Sequence, residues 1–226
     1  MPEFTFSHEG KSFTLETLSA GDSIGRKWTT EGHFFELDLL EHLQRLNRPG
    51  VYVDAGANFG NHTVYFSHFI PGCKSTLSIE AHPAIFEVLQ RNLAANAFKP
   101  YEAVNLAVSD ESGTVHMTAP DRQNSGATHI SGRRPGENPN IGSPVNCTTL
   151  DLLLSGVEVA VIKLDVEGYE QQVIEGAEAI ISEKRPVVTS ELRKHEFDAF
   201  KSVMKRHNYI KTGRYGFIDT FVWEPQ

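Results

Sequence analysis

Cysteine is scarce in this 226-residue chain, where only Cys73 and Cys147 occur, far apart and without a CxxC spacing. That excludes a disulfide framework and a metal site of that type, and it fits reduced thiols in a cytoplasmic protein. No apolar stretch reaches the ~20 residues needed to span a bilayer. The start, Met1-Pro2-Glu3-Phe4-Thr5-Phe6-Ser7-His8-Glu9, lacks the cationic and apolar regions of a signal peptide. Positive charge is also short: 21 Lys and Arg against 29 Asp and Glu give a net charge of -8. Nucleic-acid binding relies on Lys and Arg contacts to phosphate, so this balance argues against it. The one adjacent arginine pair, Arg133-Arg134, reads as a solvated loop. No internal repeat or low-complexity tract is present.

With 39% hydrophobic and 22% charged residues, the composition is that of an ordinary globular protein. A single domain over 1–226 is expected, with 1–48 as an N-terminal extension or lid. A short hairpin is expected around Gly10 and Gly21. Phe35, Leu39, Leu43 and Leu46 recur at helix spacing in 34–46, and Pro49-Gly50 ends that helix. From there strands and helices alternate: strand 51–55, helix 61–70, strand 75–80, helix from Pro83 to about Asn96, and strand 102–108. A β piece at 113–118 follows. Residues 119–146 are rich in glycine, with Pro120, Pro135, Pro139 and Pro144, and read as a long binding loop. Strand 157–164, helix 170–183, strand 186–191 and helix 196–207 follow. Two closing strands near 208–213 and 217–223, joined through Gly213-Arg214-Tyr215-Gly216, predict an antiparallel hairpin. Such alternation implies a mostly parallel sheet with helices on both faces, whose ligands bind at the carboxyl ends of the strands.

The most informative stretch is Val51-Tyr52-Val53-Asp54-Ala55-Gly56-Ala57-Asn58-Phe59-Gly60. An apolar run reads as a buried parallel strand, and the glycines after it permit a tight turn close to a ligand. A helix N-terminus should follow. A dinucleotide site would carry GxGxxG, but the middle glycine is missing here. Asp54 would also repel a pyrophosphate, whereas it suits the ammonium of an amino-acid-bearing cofactor. Glu80 lies twenty positions beyond Gly60, where a carboxylate can accept both ribose hydroxyls. The two acids together describe S-adenosylmethionine.

At these residues the chain resembles the FkbM family of S-adenosylmethionine-dependent methyltransferases. The resemblance covers roughly 33–195, through Val-Asp-Ala-Gly-Ala-Asn-Phe-Gly-Asn-His-Thr at 53–63, Ile-Glu-Ala-His-Pro at 79–83, Asn-Leu-Ala-Val-Ser-Asp at 105–110 and Ile-Lys-Leu-Asp-Val-Glu-Gly-Tyr-Glu at 162–170. It implies a Rossmann-like seven-stranded sheet of the class I methyltransferase kind. It also implies methyl transfer to a hydroxyl, often on a sugar or polyketide.

The residues themselves suggest the following roles. The backbone of Gly56, Ala57 and Asn58, in the turn closed by Gly60, should approach the methionine part, with Asp54 holding either the loop or the ammonium. Glu80 should bind ribose, and Ala81-His82 should flank adenine. Ser109-Asp110 either reaches the adenine amine or forms a turn. An alcohol needs a base to remove its proton. Asp165 and Glu167 are the candidates, on one side of an extended chain, with Lys163 in phase to pair with one of them. Either acid could instead cap the helix near Tyr169. Asp165 may be counted among the cofactor contacts as well. Glu191, followed by His195 at i+4, ends the next strand and should face substrate. Acids at adjacent strand ends could alternatively hold Mg²⁺, although the preferred reading has no metal. His62 and His82 read as packing or hydrogen-bonding residues rather than catalysts. Asn124, Ser125 and Gly126 should meet a polyol acceptor. Trp28, Phe34 and Phe35 either close over the cofactor or pack in the core. The expected partner is a small hydroxylated acceptor; a homo-oligomer is compatible with these residues. The rival readings are an NAD-dependent oxidoreductase, a non-catalytic binding module, and methylation at nitrogen rather than oxygen.

Overall fold

The computed structural model describes residues 1–121, 123–131, 138–216 and 219–226. Arg133-Arg134 and part of the expected 119–146 loop lie outside the described residues. Two strands, β1 (Glu3–His8) and β2 (Lys11–Glu16), form an antiparallel hairpin. Its turn is at Glu9-Gly10, both with positive φ, as a two-residue hairpin turn requires. Gly21 belongs instead to the approach to α1 (Ser23–Glu31), a helix the sequence did not announce. The expected helix at 34–46 starts later, as α2 (Leu37–Leu46), because Glu36 is held in the left-handed region at φ 56°.

The alternating core follows: β3 (Gly50–Ala55), α3 (Asn61–Phe69), β4 (Cys73–Ile79), α4 (Pro83–Asn96) and β5 (Tyr101–Val104). Later come β9 (Val159–Leu164), α6 (Glu170–Glu175), α7 (Glu178–Glu183), β10 (Val187–Glu191), α8 (Phe197–Arg206), β11 (Tyr209–Tyr215) and β12 (Thr220–Pro225). The numbers between belong to β6 (Ala107–Val108), β7 (Gly113–Met117), β8 (Ser143–Thr148) and α5 (Leu150–Leu153). The main sheet has seven strands in the order β11-β12-β10-β9-β3-β4-β5. From β5 to β10 the neighbours are parallel, and β12 and β11 add the antiparallel hairpin. The seven-stranded, mostly parallel sheet expected from the sequence is therefore present.

Alternate residues of each central strand feed opposite faces, as the two-residue strand period dictates. Tyr52, Val161, Val187 and Val222 pack under α2, α3 and α4, together with the N-terminal aromatics. Val53, Ile162, Val188 and Trp223 pack under α5 to α8. Burial on both faces explains why these strands read as unbroken apolar runs.

Four expectations need correction. The strand expected at 102–108 breaks after Val104. The Asn105 amide donates to the carbonyls of Glu80 and Ala81, both at 2.8 Å, so β6 peels away into a three-stranded sheet ordered β6-β8-β7. The stretch 119–146 is not featureless: it carries a 3₁₀ turn at Ser125–Ala127 and the first residues of β8, and Ile130 bridges to Met117. The helix expected at 170–183 is two helices. Asp151 accepts from the N–H groups of Ala179 and Ile180 and so caps a fresh helix start, while Gly176 presses its Cα on the Ser109 carbonyl. The closing turn also comes later than Gly213-Gly216. β11 runs on to Tyr215, and Phe217 and Ile218 of the turn lie outside the described residues.

The chain leaves β3 towards β4 and returns to β9 on its other side, which makes the β3/β9 boundary the switch point. Lys163 is buried there. Its Nζ donates to the Gly56 carbonyl at 2.9 Å and lies 3.3 Å from Asp54 Oδ1 and 3.4 Å from Asp165 Oδ2. Burial alone would lower the lysine pKa, but the charges of Asp54, Asp165 and Glu36 outweigh it and raise the value. Asp54 Oδ2 accepts from both the N–H and the hydroxyl of Thr63, at 3.1 and 2.7 Å. One buried cation thus joins β3, β9, the glycine turn and α3.

The N-terminal segment is fastened by Asn61. Its Oδ1 accepts from Trp28 Nε1 at 2.8 Å and Phe35 N at 2.9 Å, and its Nδ2 donates to Phe35 O at 3.0 Å.

Two stability predictions follow from these buried contacts. Lys163→Met should destabilise by about 3–5 kcal/mol, because it strands buried carboxylates. Urea unfolding is the check, and a loss below ~1 kcal/mol would contradict the role. The raised lysine pKa also means its stabilisation is complete below the ordinary value of 10.5 and is lost as pH rises through the higher folded value. Asn61→Ala removes three hydrogen bonds worth roughly 1 kcal/mol each. It should make cleavage near 31–36 faster in limited proteolysis; unchanged cleavage would refute the fastening.

Candidate functional site

At the carboxyl ends of β3, β4 and β9 the turn residues Gly56, Asn58 and Gly60 all have positive φ, at 76°, 48° and 89°. Gly56 admits no side chain, since a Cβ would run into the Asp165 carbonyl. The turn does not offer free N–H groups as expected. Gly56 N and Ala57 N both donate to Ile79 O, at 2.9 and 3.0 Å, and Asn58 N donates to Glu80 Oε2 at 3.0 Å. Gly60 serves packing, with its Cα against Leu89 and Leu93 of α4.

A chamber opens beside this turn, lined by Gly56, Asn58, Glu80 and Ala81 and by Asp165 and Tyr169. Apolar side chains close the rest, among them Ile79, Ile85, Val108 and Met117. Met117 and Val108 reach it only because the strand after Val104 breaks away. Glu80 is buried and accepts twice, from Asn58 N and from His82 N at 2.8 Å. Burial pushes its carboxyl up to about 7, against the pull of those two bonds. Each carboxylate oxygen keeps a second acceptor site. His82 does not flank the chamber; its Nδ1 accepts from Ala84 N and caps α4.

A second, roomier chamber adjoins the first and shares Gly56, Asn58, Gly126, Asp165 and Glu167 with it. Its remaining walls include Lys27, Trp28, Phe35, His62, Lys163 and Glu191. Trp28 is wholly buried and Phe34 belongs to the aromatic core, whereas Phe35 meets the chamber. Lys27 Nζ stands 4.0 Å over the Phe35 ring.

The acids expected here have distinct settings. Asp54 is fully buried and engaged by Thr63 and Lys163, so it holds the loop rather than facing the cleft. Asp165 is on the seam, beside Lys163. Glu167 is also on the seam, but not through an extended chain: its own φ is 52° and that of Gly168 is 97°. Arg193 donates to Glu167 at 2.8 Å. Neither acid caps α6. Glu170 instead accepts from the N–H groups of Val166 and Gly168, at 3.0 and 3.2 Å, and shapes the loop carrying both. Burial, with the charges of Asp165, Glu36 and Glu167, pushes the Glu191 carboxyl well above the usual carboxylate range. Ser109-Asp110 is a turn: the Ser109 hydroxyl donates to Asp110 Oδ1 at 2.8 Å, and Val108 is the residue that faces the chamber.

Asn124 and Gly126 border the second chamber, and Ser125 the first. Ser125 N donates to Asp22 Oδ2 at 3.1 Å, and Ser23 N donates to Gln123 O at 2.9 Å. The loop is thereby anchored on the N-terminal turn of α1. Among the described residues no group of three or more His, Cys, Asp or Glu is arranged to hold a metal ion. No helix among them is long and apolar enough to cross a membrane.

Sequence reasoning missed Lys27, Arg193 and the Glu36 partner of His62. Arg193 and Glu36 each act across 26 positions in sequence (193 − 167 and 62 − 36), and Lys27 of α1 reaches Phe35 beyond that helix's end, none of which a local motif records.

A methyltransferase of Sordaria araneosa, sdnD, is 39% identical over 67 residues, 29% of this chain and 26% of that protein. An FkbM methyltransferase structure from Methylobacillus flagellatus superposes with a TM-score of 0.56 at 17% identity, covering 78% of this chain and 43% of the other. A ribosomal protein L11 methylase from Lactobacillus delbrueckii subsp. bulgaricus gives 0.50 at 11% identity, with 83% and 79% covered. The chain thus spans less than half the length of the first two, and the two structural likenesses concern the fold. The methyltransferase FkbM domain matches residues 54–211, from the acid before the glycine turn into β11, and the chain belongs to that family.

Proposed function

We propose that this chain is an S-adenosylmethionine-dependent methyltransferase acting on a hydroxyl of a small acceptor, a saccharide or a glycosylated or polyketide-type metabolite. The observation that carries the reading is the pair of chambers meeting at Gly56 and Asp165. One suits a nucleoside and the other an acceptor, and the two share Gly56, Asn58, Gly126, Asp165 and Glu167 as lining.

The residues present fit the cofactor. Glu80 has free acceptor positions for a ribose diol, and the apolar slot around Ile79 and Met117 suits adenine. A dinucleotide fits poorly, because the N–H groups of Gly56, Ala57 and Asn58 are already consumed by Ile79 and Glu80, leaving none there for a pyrophosphate. A bound S-adenosylmethionine would supply a methyl group on a cationic sulfonium.

The chain's own contribution is alignment and electrostatics. Asp165 and Glu167, each already engaged by a cation, accept hydrogen bonds from acceptor hydroxyls at the seam. Glu191 borders the same seam. Asn124, Gly126 and the Phe35 face complete a surface of amides and aromatic carbon, as a polyol requires. The first 48 residues act with the single domain as a roof over the second chamber, through Ile24, Lys27 and Trp28.

Isothermal titration tests the cofactor. S-adenosylhomocysteine should bind at micromolar Kd, NADH should not, and Glu80→Ala should weaken the first by ~10-fold or more, since a hydrogen bond to a charged group is worth about 1.5–3 kcal/mol. Binding of NADH alone would overturn the reading. Ribose hydroxyls donate best to ionised Glu80, whose pKa is about 7, so affinity should fall as pH drops below that value. A Kd unchanged between about pH 6 and 8.5 would contradict the placement of ribose on Glu80.

A further inference from the structure

Two lysines border the second chamber, and their donors are spent differently. Lys163 gives its Nζ to the Gly56 carbonyl, Asp54 and Asp165. Lys27, half-buried on α1, has no hydrogen bond or ion pair at Nζ among the described residues, and meets the Phe35 ring face at 4.0 Å. It has left the partner that its helix offers. Glu31 stands four positions on, the spacing at which lysine and glutamate pair along a helix, and both border one outer groove. The Glu31 carboxylate instead lies 4.0 Å from His33 Nε2. Lysine ahead of glutamate is the weaker order for such a pair, and a cation over an aromatic face outweighs it. The ring covers one side of the ammonium and leaves its three N–H donors unspent.

Short contacts join the surroundings of Lys27 to the glycine turn. Ser23, one helical turn earlier on α1, donates to Asn124 Oδ1 at 3.3 Å. Asn58 Nδ2 donates to the Ser125 hydroxyl at 3.4 Å, and a Cβ on Gly126 would come 3.8 Å from the same Nδ2. Asn58, the 124–126 turn, Ser23 and Lys27 therefore form one continuous wall of the second chamber.

A cofactor with an amino-acid tail needs such a group. In S-adenosylmethionine the sulfur carries two methylenes and then the carbon that bears the ammonium and the carboxylate. With its nucleoside in the first chamber, the tail runs from the seam into the second. No lysine, arginine or histidine among the described residues lines the first chamber. The N–H groups of Gly56, Ala57 and Asn58 are spent on Ile79 and Glu80. A carboxylate left there without a partner would be costly, whereas an ammonium with free donors makes a strong, charge-assisted bond to it. We infer that Lys27 binds the α-carboxylate of the cofactor's tail, so that the N-terminal segment completes the cofactor site. The inference rests on the methyltransferase reading above and assigns a subsite within it. Asp165, Glu167 and Glu191 border the same chamber, which thus offers both signs of charge that a zwitterionic tail requires. Held by its ribose on Glu80 and its carboxylate on Lys27, the cofactor has its sulfur fixed between the two, as alignment demands.

Competition binding against labelled S-adenosylhomocysteine tests this on the full chain. The probe is S-adenosyl-3-thiopropylamine, which keeps the nucleoside, the sulfur and the amine but lacks the carboxylate. Wild type should prefer S-adenosylhomocysteine by ~10-fold or more, as a hydrogen bond between charged groups implies. Lys27→Met and Lys27→Gln should each abolish that preference, weakening S-adenosylhomocysteine about 10-fold and the probe less than about twofold. Either variant decides the matter if the other fails to fold. Equal weakening of both ligands would show that Lys27 only packs the roof, and a preference retained in the variants would assign the carboxylate to another group. Either result overturns the inference, as does a wild type without preference. Failure of both compounds to bind wild type would strike the cofactor reading instead.

Discussion

The site depends on one buried ammonium. Lys163 is near three carboxylates in a region where the sheet offers no water, and it bonds the carbonyl of the glycine that turns the chain. Taking such a charge from water costs several kcal/mol, which only close partners can offset. The consequence is geometric: Asp54, Gly56 and Asp165 must keep fixed separations, and the two strand ends across the switch point cannot slide. Thr63 extends the same network into α3 through its two bonds to Asp54. A side chain buried between two strand ends therefore sets the shape of the cleft that it borders.

Around that anchor the acids divide into two kinds. Asp54 and Glu36 are buried with cationic or imidazole partners and serve the scaffold and the ring of His62. Glu80 and Glu191 are buried with less compensation, and burial drives both upward, Glu80 to about 7. Environments that shift carboxyl pKa values in opposite directions in this way place groups of different proton affinity in one small volume. Perturbed groups of this kind gather at functional sites, and here they all lie at the carboxyl ends of β4, β9 and β10 or just before α2.

Much of this was legible in the sequence because it is local. The apolar strand, the glycine turn and the acid twenty positions on are contiguous patterns, and the structure puts Gly56, Asn58, Glu80, Asp165 and Glu167 around one cleft. Lys163 was in phase with Asp165 along β9, and their contact is real. What failed depended on distant partners. The break after Val104 is made by the Asn105 amide reaching back to the 80–81 backbone, and the split at Gly176 by Asp151. β8 was hidden because Pro144 and polar alternates disguised its inward Val145 and Cys147. His62 is buried among polar neighbours, as a packing or hydrogen-bonding residue is, but nothing near it in sequence announces Glu36 beside its ring.

The most direct test of the account is a crystal structure with S-adenosylhomocysteine bound. The account predicts ribose hydroxyls on Glu80, adenine between Ala81 and Met117, and the sulfur at the seam of Gly56 and Asp165, opening toward His62. A ligand with its ribose away from Glu80, or with its sulfur outside the shared wall of the two chambers, would contradict it.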